Sequence, residues 1–319
     1  MLPPVRSYGR ARQRASFCIG QDRAGSRRSL GPWPTGMSEY RELLEELSTR
    51  LSCVVGPLLR AEEHRSARLA RYAGGARLRG LDQLLAYLAA ARKTYAEHPH
   101  LRPLAPLIDR LQADFETALE ATLSGFSGVM SDGMRDAMEI ELLLLDFAAH
   151  PGHVPQWLSA DERERWQRFR PAVLRDRLRA AGVEAYTSSS GRVDYAAHST
   201  ALHVTPHTPP IGARGLGPAE EQDEFVADAG FWEIFEHGAR VLQAIESLRL
   251  RQGAGPDEPL SPLDQFSDAR ARTAEMQTLY LAMLTGPARL RKHLGREPTT
   301  AEVLRHLRDQ AAGEAGGEG

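Results

Sequence analysis

The chain is poor in cysteine, in lysine and in long apolar runs. Its 319 residues include only two cysteines, Cys18 and Cys53, too few for the disulfide framework of a small secreted domain, and neither stands in a CxxC or metal-ligand spacing. A reducing, cytoplasmic setting is therefore expected. Lys93 and Lys292 are the only lysines among 40 basic residues, an arginine bias that looks like a GC-rich bacterial source. Against 42 acidic residues the formal net charge is -2, so no overall basic excess points to nucleic acid. No stretch reaches the roughly 20 apolar residues of a membrane helix; the most apolar run, 140–149, is interrupted by Glu141 and Asp146. No membrane partner is expected. Neither GxxxxGK[ST], GxGxxG after a strand, GxSxG nor HExxH occurs, which argues against P-loop, Rossmann, α/β-hydrolase and zincin chemistry.

What is present is helical periodicity. From Ser38, apolar residues Tyr40, Leu43, Leu44, Leu47, Leu51, Val54, Val55, Leu58 and Leu59 recur at steps of three and four, one stripe of a helix with Pro57 bending it near its end. Further helices are expected over 81–97 and 103–123. Gly125, Gly128 and Gly133 loosen the chain before 134–149, which is apolar on nearly all sides and is the candidate central helix. Ser159 with Glu162 reads as a capping box opening a helix that kinks at Pro171 and stops at Gly182. Thr299 with Glu302 repeats that pattern, and Ser261 before Pro262 reads as a cap with proline at the first helical position. Phe225, Trp232, Phe235, Leu242, Ile245 and Leu248 stripe a long helix over 220–251. Period-two strands are almost absent, so the expected class is all-α: a multi-helix bundle with one long irregular loop and a C-terminal helical extension.

The organisation follows from composition. Residues 1–36 carry seven arginines against Asp22 alone and read as a disordered leader, with Met37 the alternative start. A bundle domain is expected over 37–252, a Gly/Pro/Asp linker over 253–259, C-terminal helices over 260–312 and a disordered Gly-rich tail over 313–319. The irregular stretch 186–218 is long for a loop in a compact domain and is the segment where function is expected.

Three groups of residues carry candidate chemistry. Arg135, Glu139 and Asp146 fall four and seven residues apart on one face of the central helix, either a solvated ion pair or the charged wall of a pocket. His150 and His153 after that helix, with His198, His203 and His207 in the long loop, place five imidazoles in two short stretches, but their spacing supports no metal site and no cofactor is expected. The arginines over 163–179 alternate with Asp161, Glu162, Glu164 and Asp176, the pattern of a solvated helix face.

Arg192 followed six residues later by His198 resembles the arginine–histidine pair of HEPN-type ribonucleases. In such enzymes the cation would stabilise a phosphate and the imidazole would move a proton during attack by an RNA 2′-hydroxyl. More widely, the stretch from Met134 to Phe147, the following His-Pro-Gly-His with Trp157, and Tyr195-Ala-Ala-His-Ser-Thr-Ala-Leu-His203 resemble a family of bacterial helical proteins, DUF5677, sometimes grouped with HEPN-like domains of defence and toxin systems. The resemblance covers roughly residues 105–250. It implies that Arg135, Glu139, Tyr195, Ser199 and His203 fill the family's shared positions, and the HEPN likeness implies RNA as the partner. The residues themselves leave two readings open: an RNA-directed effector or accessory protein, and a non-enzymatic helical interaction protein, as a homodimer or bound to another protein, whose polar cluster is structural.

Overall fold

A computed structural model describes residues 37–48, 50–183, 220–255, 259–274 and 290–296, with 302, 305 and 306. Among them there is no strand, and the fold is an all-α bundle. The chain divides into two compact units, Met1–Ser52 and Cys53–Gly319. The described part of the first is chiefly helix α1 (Met37–Ser48). The second holds α2 (Ser52–Tyr72), α3 (Ala76–Glu97), a 3-10 turn (Arg102–Leu104), α4 (Ala105–Ser124), α5 (Ser127–Ala149), α6 (His153–Ser159), α7 (Glu162–Phe169), α8 (Pro171–Ala180), α9 (Glu220–Arg251) and α10 (Asp264–Thr273).

The expected central helix is central. Helix α5 packs along α9 and α4, with α8 across it, and α3 packs against α4 and α10. Its apolar surface is used on most sides: Met134, Ala137, Ile140, Leu142, Leu144 and Phe147 are all buried, as expected of a helix surrounded by others. Phe266 and Ala269 of α10 belong to the same core. There α3 and α10 approach so closely that a Cβ added at Gly80 would lie 2.5 Å from the Ala269 Cβ and 3.0 Å from Phe235. Only glycine allows that contact.

Several expected boundaries are corrected. The stripe beginning at Ser38 is two helices rather than one: α1 ends at Ser48, whose hydroxyl donates to Glu45 O at 2.6 Å, and α2 begins at Ser52. Pro57 lies near the start of α2 rather than near an end, where its missing N–H removes one helical bond without stopping the helix. Helix α5 begins at Ser127, so Gly128 and Gly133 are inside it; packing outweighs their low helix propensity. The Ser159/Glu162 box does not form. Ser159 donates back to Pro155 O at 2.9 Å, and Asp161 is the N-cap, accepting from Glu164 N at 2.8 Å, the same side-chain-to-backbone device two residues later. At Pro171 the chain does not kink within one helix: α7 ends and α8 begins with proline in its first turn, then closes before Gly182, whose φ of +73° suits glycine. Helix α10 starts at Asp264 rather than at Ser261-Pro262 because α3 caps it: Gln83 donates to Asp264 at 2.9 Å and accepts from Phe266 N at 2.9 Å. A tertiary cap of this kind has no local signature.

Buried polar groups fasten the helices. Arg68 donates to Thr122 O at 2.5 Å, meeting a free carbonyl at the α4 C-terminus. Tyr72 donates to Asp228 at 2.9 Å, and burial together with that carboxylate pushes its hydroxyl up to about 12. Arg249, wholly buried, reaches Glu246 and Ala254 O, and Glu246 accepts from Tyr87. The first part of the expected linker is thus tied to α9.

Candidate acid–base site

The last turn of α5 ends in a polar cluster. Asp146 is fully buried, so its carboxylate must be paired or pay a heavy desolvation cost. Three cationic or potentially cationic side chains meet it. Arg177, in the last turn of α8, places Nη1 2.9 Å from Asp146 Oδ1 and 2.8 Å from Oδ2. His153, the first residue of α6, has Nδ1 2.8 Å from Oδ2, and His150, the residue after α5, has Nδ1 3.5 Å from Oδ1. A carboxylate only accepts, so His153 donates from Nδ1 and its tautomer is set by Asp146.

Local sequence explains the arrangement. His150 leaves the helical conformation at φ -134° and caps α5 by donating its backbone N–H to Asp146 O at 2.7 Å. Pro151 and Gly152 then turn the chain so that α6 starts back over the end of α5, and the two imidazoles stack with centroids 4.9 Å apart. Phe169 closes the other side, edge-on to His153 at 6.1 Å and 5.6 Å from the Arg177 guanidinium. Arg177 also donates to Arg168 O at 2.6 Å, joining α5, α7 and α8. The side chains of His153 and His150 keep 22% and 37% of their exposure, so the cluster opens to solvent on the imidazole side while its carboxylate is sealed.

Asp146, His150 and His153 offer ligand atoms within 4.8 Å of one another, a set of types that zinc accepts. Arg177 Nη1, however, stands among them, 3.1 Å from His153 Nδ1 as well as against both carboxylate oxygens. A metal would have to displace a guanidinium that already supplies the positive charge.

Of the residues singled out from the sequence, Arg135 and Glu139 form an i,i+4 pair at 3.5 Å with partly exposed side chains. Asp146, placed on their face by spacing, is instead buried against α6 and α8. Arg192, Tyr195, His198, Ser199, His203 and His207 lie outside the described residues, as does Thr299. Arg177 was missed because the 163–179 arginines read together as a solvated face; its distinguishing signal is that it follows Leu174 by three and precedes Leu178, both buried. A second buried cluster was missed entirely. Glu233 accepts from His237 Nε2 at 2.9 Å, Arg240 donates to His237 Nδ1, and Arg240 Nε lies 3.6 Å from Glu141. The steps of four and three on α9 place these groups on one side, facing α5. Both ring nitrogens of His237 are engaged and its side chain is 2% exposed, which makes this a lock between α9 and α5 rather than a site.

A third group lies between α4 and α5. Arg110 holds Asp136 through two N–H donors, and Asp114 faces the same carboxylate. Burial first, then its hydrogen bond to Asp136 and that group's charge, push the Asp114 carboxyl up to about 8.

Comparison of the chain with protein-family models, with curated proteins and with solved structures finds no match. Among the described residues no helix is long and apolar enough to cross a membrane.

Proposed function

We propose that this is an RNA-directed helical protein with a metal-independent acid–base site at Asp146, His150 and His153. The observation that carries this reading is the sealed carboxylate that fixes the Nδ1–H of a partly exposed imidazole. Such a pair orients His153 and leaves Nε2 to exchange a proton with a bound group. The chemistry it fits is phosphodiester cleavage by a neighbouring hydroxyl. His153 Nε2 accepts the proton of an RNA 2′-hydroxyl, that oxygen bonds to the adjacent phosphorus, and the bond from phosphorus to the 5′-oxygen breaks. The leaving oxygen takes a proton from the second histidine, His150, acting as an imidazolium that becomes neutral in the step. RNA is the class that carries its own nucleophile next to the phosphate, and it is the partner implied by the resemblance of the Arg192/His198 segment.

The second reading, a non-enzymatic interaction protein, is favoured by one feature: Arg177 spends its donors on Asp146 and on Arg168 O, as in a structural lock. Incubating the purified chain with labelled single-stranded RNA and with the same strand lacking 2′-hydroxyls, in the presence of chelator, separates the two. Cleavage of the RNA alone, leaving a cyclic phosphate, supports the first; intact RNA at every time point supports the second.

A further inference from the structure

We propose that α7 is a binding surface for single-stranded nucleic acid, with Trp166 as the stacking platform for a base and the arginines around it as phosphate contacts. Trp166 is 64% exposed, the most exposed large apolar side chain among the described residues. An indole this open in the middle of a helix has no part in the core. Arg163 and Trp166, three residues apart, share one side of α7, and Arg170 is the extended C-cap just after it. The Arg170 guanidinium lies over the indole, 4.8 Å from its centroid. One face of the ring is thus backed by a flat cation, while the exposure leaves the other to a ligand.

Four arginines lie within eight residues around this platform. Several exposed arginines elsewhere meet carboxylates, as Arg92 with Asp109, Arg270 with Glu236 and Arg272 with Asp268, while Arg79 and Arg102 reach only amide or backbone oxygens. Among the described residues Arg163, Arg165, Arg168 and Arg170 have no carboxylate partner; Arg165 and Arg168 reach only Asp161 O and the Gln156 side chain. The acids of this stretch are gathered at its start. Asp161 caps the helix and Glu162 and Glu164 stand in its first turn, where the helix dipole favours them. From Arg165 to Arg170 the exposed surface is cationic and aromatic.

A single strand matches both features at once, because every base offers a π-face and every linkage a phosphate. A duplex hides its bases, and an acidic peptide would satisfy the guanidinium groups without using the indole. This inference does not rest on the acid–base reading, since a strand can bind here whether or not it is cut.

The test is anisotropy of labelled short single-stranded RNA and DNA, the DNA being a probe that 2′-hydroxyl attack cannot cleave. It is run with the full chain in chelator, with the matching duplex, polyglutamate and anionic vesicles as competitors. Binding of one or both single strands is expected, weakened roughly 5- to 150-fold by Trp166→Ala, the range of one lost base–aromatic stack. Arg163→Gln and Arg170→Gln are each expected to lower the salt dependence by about one counterion. The RNA and DNA arms show which strand is preferred. Equal affinity in wild type and Trp166→Ala, at unchanged melting temperature, overturns the proposal, as does no single-strand binding. Displacement by polyglutamate or vesicles as effective as by free strand overturns it in favour of an acidic protein or a membrane surface.

Discussion

Replacing Asp114 by asparagine should remove a pH dependence built into the α4–α5 contact. Asp114 and Asp136 face each other across that contact with Arg110 supplying one positive charge for two carboxylates. The Asp114 carboxyl is pushed up from its ordinary value near 3.8 to about 8. An acid whose folded value is raised binds its proton more tightly in the native state, so stability falls as pH climbs from about 4 to about 8, and is flat outside that window. At about 1.4 kcal/mol per pH unit, the full interval sets a ceiling near 6 kcal/mol. The pair is partly exposed and screened, which brings the expected loss to about 1–3 kcal/mol. Asparagine keeps the shape and cannot ionise. Urea unfolding of wild type and Asp114→Asn at about pH 5 and pH 9 is the assay. The variant should match wild type within about 1 kcal/mol at the lower pH and exceed it by about 1–3 kcal/mol at the higher. Parallel pH profiles, or a variant less stable at the higher pH, would refute the reasoning.

Other consequences are as direct. Gly80→Ala should lower stability by about 1–3 kcal/mol, because the new methyl overlaps Ala269, and Ala269→Gly in the same chain should restore part of the loss in a double-mutant cycle. Asp161→Ala should cost about 0.5–2 kcal/mol as a lost N-cap whereas Ser159→Ala changes little, an order that the capping box at Ser159 would reverse and that thermal melts can read. Arg177→Met leaves the buried Asp146 carboxylate without its guanidinium and should destabilise by about 3–5 kcal/mol at neutral pH in chemical unfolding, as for a buried pair broken from one side.

The helical class and the central place of 134–149 were legible because apolar residues on nearly every side of a helix have one physical solution, burial among other helices. Boundaries were less legible. Gln83 caps α10 from a helix far away in sequence, and Asp161 rather than Ser159 starts α7, although both offer an oxygen at a plausible spacing. The site was half visible. His150 and His153 stood out by residue type, and Asp146 by its position in an apolar helix, yet Asp146 was grouped with Arg135 and Glu139, its neighbours in periodicity. Its partners come from the turn after α5 and from α8, and such pairing is set by how helices cross rather than by spacing within one. Arg177 and Arg179 are two residues apart in the same helix; one seals the cluster and the other pairs with Asp176 at 2.9 Å in solvent, a distinction only packing makes. The His237 lock was hidden for the same reason.

His153 is the group on which the acid–base chemistry turns. Single-turnover cleavage of labelled RNA in chelator by wild type, His153→Ala and Asp146→Asn, each checked by its thermal melt, measures the acid–base role itself. The expected result is a loss of about 10²- to 10⁴-fold for His153→Ala in a chain that still melts cooperatively, and a smaller loss for Asp146→Asn. Equal cleavage by wild type and a folded His153→Ala, or no cleavage by wild type at all, would contradict it.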